Sequence, residues 1–192
     1  MPELPGGAGP ILTALARDAI VRGLGMAPRA RPAEPEWLAH DGASFVTLTI
    51  GGRLRGCIGT LEAHRPLGED VRSNARSAAF RDPRFPPLAA AESERLRIEV
   101  SVLSEPAPID AASEADALAQ LVPGDDGVIL QAAGRRATFL PQVWNELPDP
   151  AEFLAHLKRK AGLPAGYWGD ARLWRYSVAA FQEGAGPGSD QA

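Results

Sequence analysis

Cysteine is almost missing from this chain: Cys57 is the only one in 192 residues. That excludes an internal disulfide and any metal site built from several thiolates, and it fits a reducing, cytoplasmic setting. Histidine is nearly as sparse. His40, His64 and His156 are the full set, and no two stand at metal-ligand spacing, so all three read as surface residues. The chain has no His-Glu-x-x-His, no phosphate-cradling glycine loop and no Gly-x-Ser-x-Gly. No metal or cofactor is therefore expected, and a radical or redox step would have to belong to a partner. No apolar run approaches the roughly 20 residues a membrane helix needs. The opening residues lack the basic start and apolar stretch of a signal peptide. A basic surplus is missing too. The net charge is −4 and the isoelectric point about 5.4, which argues against a general binder of nucleic acid or of acidic membranes.

What is present is ordinary globular material, 45% hydrophobic and 23% charged, long enough to bury a sizeable core. Charge is uneven: residues 53–84 hold seven arginines against four acids. Residues 1–9, rich in proline and glycine, read as a flexible tail, residues 10–183 as one domain, and residues 184–192 as a second flexible tail. Ile11, Leu12, Leu15, Ala19, Ile20 and Leu24 recur at helical spacing and predict a helix over 10–24, stopped at Gly25. Three prolines make 28–41 an extended connector. Residues 44–50 are β-branched and aromatic, Gly51-Gly52 suits a tight turn, and 53–60 is the returning strand. A helix is expected over 66–80, a proline-rich loop over 81–88, a short turn over 92–95 and an alternating strand over 96–103. Beyond a Pro106/Pro108 break, Ser113 caps a helix over 114–121. Residues 128–131 and 136–140 form a second hairpin, Pro141 opens a short helix, and Asp149 caps a helix ending at Gly162. Its Lys158-Arg159-Lys160 reads as a solvated terminus. A last strand alternates from Trp174 to Ala180. Hairpins interrupted irregularly by helices give an α+β fold with a mainly antiparallel sheet flanked by helices.

Chemistry gathers at Cys57. Gly56 and Gly59 bracket it, which suggests a backbone that a ligand can reach. Strand alternation puts Arg53, Arg55 and Cys57 on one face, where cations would suit a thiolate nucleophile. The competing reading is a small buried hydrophobe. The loop Asp82-Pro83-Arg84-Phe85-Pro86-Pro87 can present Arg84 and Asp82 rigidly, with the Arg84 fork gripping a carboxylate or phosphate. Its competing reading is a structural loop in which Phe85 plugs the core and Arg84 pairs with Asp82. Ser73 and Asn74, on the preceding helix, could face Cys57. Trp144, Trp168, Trp174 and Tyr167 read as core.

Several segments in order carry a family resemblance. They are Leu54-Arg55-Gly56-Cys57-Ile58-Gly59, Asp82-Pro83-Arg84-Phe85-Pro86-Pro87, Glu99-Val100-Ser101-Val102-Leu103 and Ala137-Thr138-Phe139-Leu140-Pro141-Gln142-Val143-Trp144, followed by the helix over 153–162 with Leu163-Pro164. Over residues 11–182 the chain resembles the AMMECR family, whose bacterial and archaeal members are called AmmeMemoRadiSam system protein A. The resemblance implies one α+β domain with a smaller subdomain, an activity not established, association with Memo-type and radical-SAM proteins, and RNA or nucleotide modification as a suggested setting.

Two functions follow. In one, Cys57 is the nucleophile of a small enzyme or catalytic partner, in a basic groove where Arg53, Arg55, Arg84, Asp82 and Asn74 bind an anionic substrate. In the other, the same groove binds a protein or RNA and performs no chemistry.

Overall fold

The helical period read from Ile11 onward becomes α1 (Ala8–Gly23) in a computed structural model that describes residues 4–27 and 32–184. In chain order there follow β1 (Ala43–Ile50), β2 (Arg53–Gly59), α2 (Leu67–Phe80), β3 (Leu96–Leu103), β4 (Ala107–Ile109), α3 (Glu114–Leu118), β5 (Gly127–Ala132), β6 (Arg135–Phe139), α4 (Pro150–Lys160), β7 (Arg172–Tyr176) and β8 (Val178–Gln182). Short 3-10 turns occupy Glu36–Ala39, Ala90–Arg95 and Pro141–Asn145. The class is α+β, with two four-stranded, mainly antiparallel sheets. Among the described residues no helix is long and apolar enough to cross a membrane.

The chain divides into two units. The first runs to Leu103 and resumes at Ala179, and the second is Ser104–Val178. In the first unit the strand order is β2-β1-β3-β8. Alternation along β1 and β3 sends Val46, Leu48, Ile98, Val100 and Val102 inward. There they meet Leu12, Leu15 and Ile20 of α1 and Val71, Ala75 and Ala78 of α2. Each buried aliphatic side chain stabilises by about 1.5–3 kcal/mol relative to exposure. Gly51 and Gly52 turn β1 into β2 with φ of 59° and 76°, the left-handed values a tight hairpin needs.

In the second unit the order is β4-β7-β5-β6. Phe153, Leu154 and Leu157 of α4 pack with Val128, Leu130 and Leu173 of the sheet. Trp144 stacks flat on Phe153, ring centroids 3.7 Å apart, so the expectation that Trp144 is core holds. Ser113 and Asp149 cap α3 and α4 by accepting from Asp116 N and Glu152 N, also as the sequence predicts.

Several expectations need correction. The first helix begins at Ala8, so it takes residues 8 and 9 from the predicted N-terminal tail; residues 1–3 of that tail and 185–192 of the other lie outside the described residues. So do residues 28–31 of the connector, whose remainder makes a 3-10 turn that buries Leu38. Pro108 does not break the sheet but sits in β4, an edge strand, where a missing N–H is tolerated. α3 stops at Leu118, three residues early. The single last strand is two: it breaks at Ser177 into β7 and β8, which join different sheets. Lys158 is not solvated at all. Its ammonium is buried, pairs with Glu114 at 2.7 Å and donates to Ala165 O at 3.0 Å.

Candidate functional site

β2 lies at the edge of the first unit's sheet, and Cys57 is in its outer half. Pairing with β1 places Ile58 opposite Val46, Cys57 opposite Thr47 and Gly56 opposite Leu48; the next pair is Leu54 with Thr49. Arg55 is therefore the extra residue of a β-bulge. Such a bulge breaks strict alternation. Residues directly opposite share a face, so Arg53, opposite Ile50, falls on the parity of Leu48 and Gly56, away from Cys57. The simple picture of Arg53, Arg55 and Cys57 on one face does not hold, and the bulge is the reason.

The bracketing glycines also have another role. A Cβ on Gly56 would lie 2.1 Å from the carbonyl oxygen of Ala78, so α2 packs its backbone directly against β2 there. A Cβ on Gly59 would lie 2.2 Å from the Phe45 ring, which covers it from the opposite strand. Both are sites of close packing, not of ligand access.

The other edge of Cys57 meets the proline-rich loop. Cys57 N donates to Asp82 Oδ2 at 2.9 Å, and Arg84 Nη2 donates to Cys57 O at 3.1 Å. Both main-chain groups that would seek a neighbouring strand are thus satisfied by two side chains of one loop. Asp82 is buried and also accepts from Arg84 N, Nε and Nη2 at 3.1, 2.9 and 2.7 Å. These bonds from Arg84 hold its carboxyl far below the usual range, against the opposing pull of burial. Arg84 is raised in turn, first by Asp82, with Cys57 adding a smaller push. Its side chain is 53% exposed and lies over the Phe85 ring at 5.5 Å. Phe85 is only partly covered; Leu88 is the residue of this loop that enters the core.

Arg55 is committed elsewhere. Its Nε and Nη2 donate to Glu92 at 2.8 and 3.0 Å, and Nη1 donates to Pro86 O at 3.0 Å. Glu92 is lowered chiefly by Arg55 and also accepts from Ala89 N. Arg55 therefore ties β2 to residues 86–92. Asn74 does not bond to Cys57 either. It is buried and donates to Ser44 O at 2.9 Å and to Asp70 at 2.9 Å. Asp70, fully buried, also accepts from Ser44, Thr60 and Arg65, a network nothing in the sequence announced. Arg53 is exposed, with no ion-pair partner among the described residues. His64 is exposed and donates to Glu62 O.

Cys57 as a residue is partly exposed. Thr47 Oγ1 donates to Sγ at 3.3 Å. Thr47 is the residue sequence reading missed: counting back from the Gly51-Gly52 turn without the bulge puts Val46 opposite Cys57. What converges on the thiol is one hydroxyl donor and one guanidinium, with a buried carboxylate anchoring that guanidinium. Among the described residues no three His, Cys, Asp or Glu side chains gather as a metal site.

The AMMECR1 family profile matches residues 13–181. A protein of Methanothermobacter thermautotrophicus is 42% identical over 142 residues, 72% of this chain and 74% of its own. Protein MK0488 of Methanopyrus kandleri is 37% identical over 186 residues, 91% of this chain and 88% of its own. The crystal structure of uncharacterized protein PH0010 from Pyrococcus horikoshii superposes with a TM-score of 0.77 at 33% identity, covering 96% of this chain and 95% of that one.

Proposed function

The chain belongs to the AMMECR1 family, and from that premise we propose that it is a small enzyme, or the catalytic partner of one, whose nucleophile is Cys57. The observation that carries this reading is the partly exposed Cys57, whose sulfur receives a hydrogen bond from Thr47 beside the half-exposed Arg84. A hydroxyl donor and a guanidinium are the groups that stabilise negative charge on sulfur or on an incoming oxyanion. The planar fork of Arg84 suits a carboxylate or a phosphate, and nucleotide or RNA modification would supply a substrate of that charge. Arg55 and Asp82 act as positioning residues, holding loop and strand in register. A radical step would be supplied by a partner of the radical-SAM type, with a Memo-type protein as the other expected associate.

One observation favours a second reading, a binding module without chemistry. Among the described residues no imidazole or carboxylate hydrogen-bonds Sγ, so no general base is in place. Alkylation of native Cys57 by iodoacetamide separates the two. The nucleophile reading predicts that Thr47→Val and Arg84→Ala each slow alkylation several-fold while the fold, followed by circular dichroism, is kept. Equal rates in all three proteins would leave the binding module.

A further inference from the structure

A second basic feature lies apart from Cys57, on the helical side of the first unit. α1 and α2 border a cleft of about 490 Å³ lined by Asp18, Arg22, Glu34, Arg72 and Arg76, with Ala19 and Pro32 completing the wall. Its three guanidinium groups are not equivalent. Arg22 Nε is held by both oxygens of Asp18, at 3.0 and 2.8 Å, one turn back on α1. Arg72 makes one contact, Nη2 to Glu34 Oε1 at 2.7 Å. Arg76 is exposed and has no hydrogen-bond or ion-pair partner among the described residues. Among the described residues the cleft therefore holds one more positive charge than negative, and the surplus is concentrated on α2, where Arg72 and Arg76 stand at i and i+4. Like charges at that spacing repel, and an anion between them would relieve the repulsion.

Glu34 supplies the remaining clue. Its carboxylate is 52% exposed and comes from a stretch with no helix or strand of its own. It lies on the guanidinium in the manner of an incoming oxyanion, yet it meets only one nitrogen of the fork. We propose that this cleft binds the phosphate group of a small molecule, gripped by Arg72 and Arg76, and that Glu34 occupies part of the place when the cleft is empty. A phosphate presents three acceptor oxygens, enough to meet both forks at once, which a single carboxylate cannot do. The volume suits a phosphate ester of ordinary metabolite size, within the few hundred Å³ typical of small-molecule sites.

The test is isothermal titration of the full chain with inorganic phosphate at constant ionic strength, acetate serving as the monovalent comparison. Saturable phosphate binding is expected, stronger than acetate binding. Arg76→Ala and Arg72→Ala should each weaken it by about tenfold, the scale of one charge-assisted contact. Arg76→Lys, which keeps the charge but loses the fork, should fall between. Glu34→Gln should tighten binding several-fold by removing the competing carboxylate. Arg97→Ala, an exposed arginine outside the cleft, should change nothing. Absence of saturable phosphate binding would overturn the proposal. So would Arg97→Ala weakening binding as much as Arg76→Ala, which marks diffuse charge, or Glu34→Gln leaving the affinity unchanged.

Discussion

At Gly56 a methyl group would have to displace the backbone of α2, since the nearest atom is the Ala78 carbonyl oxygen 2.1 Å away. Backbone cannot swing aside as a side chain can. Gly56→Ala is therefore expected to cost about 3 kcal/mol, in the range of severe overpacking. Gly59→Ala meets Phe45 Cγ at 2.2 Å, the root of the ring, which ring rotation does not move but a change of χ1 can, and it should cost less, about 2 kcal/mol. Urea unfolding of the two variants checks the ranking; equal losses would contradict it. Lys158 poses the opposite problem, a buried charge. Its partner Glu114 keeps 32% of its side chain exposed, so solvent shares in screening the pair. Glu114→Gln leaves the ammonium without its counter-charge and should cost about 1–3 kcal/mol, whereas Lys158→Met should be much milder. Thermal unfolding that ranks them the other way would refute this. The sequence marked Gly56 and Gly59 as unusual but could not say which neighbour approached them. It also misread Lys158, because a basic run at a helix end looks the same whether one member points outward or in.

The edge of β2 is the element on which the site depends. An unpaired strand edge invites pairing with another chain. Here the Asp82–Arg84 pair satisfies Cys57 at both its main-chain groups, while Arg55 ties the strand to Glu92. Two ion pairs thus do the work of a missing strand, and they titrate. Asp82 and Glu92 are held below their ordinary values of 3.8 and 4.5 in the folded state. A carboxyl lowered by folding stabilises fully above its ordinary value and loses that contribution as pH falls through the folded one. Stability should therefore decline below about pH 4.5, and Asp82→Asn should both lower stability at pH 6 and flatten the decline. Urea midpoints from pH 6 to pH 2 read both effects; an unchanged slope in Asp82→Asn would remove Asp82 from the account. The hairpin was legible from Gly51-Gly52, and so was the lack of helix and strand in the proline-rich loop. The bulge at Arg55 was not, because no residue type there demands one, and it alone exchanges Val46 for Thr47 opposite the thiol. The break at Ser177 was hidden for a similar reason: the alternating pattern runs on across it from Trp174 to Ala180 while the strands change sheets.

Over the whole chain, the second unit is an insertion. The backbone leaves the first sheet after β3 and returns in β8, the next strand in that sheet. Ser104 and Ser177 close the excursion: Ser104 N donates to Ser177 O at 2.9 Å and Ser177 N donates to Ser104 Oγ at 3.0 Å. Residues 104–178 carry their own apolar cluster around Phe153 and Trp144. That segment expressed alone should show a cooperative thermal transition; a broad, non-cooperative melt would show that its core is insufficient. Because the 192-residue chain has a single cysteine, thiol chemistry on it reports on one atom. The most direct test of Cys57 as a nucleophile facing anions is the ratio of its alkylation rates with iodoacetate and iodoacetamide, native against urea-unfolded. The account predicts a ratio several-fold higher in the native protein, abolished by Arg84→Ala. A native ratio equal to that of the unfolded chain would contradict it.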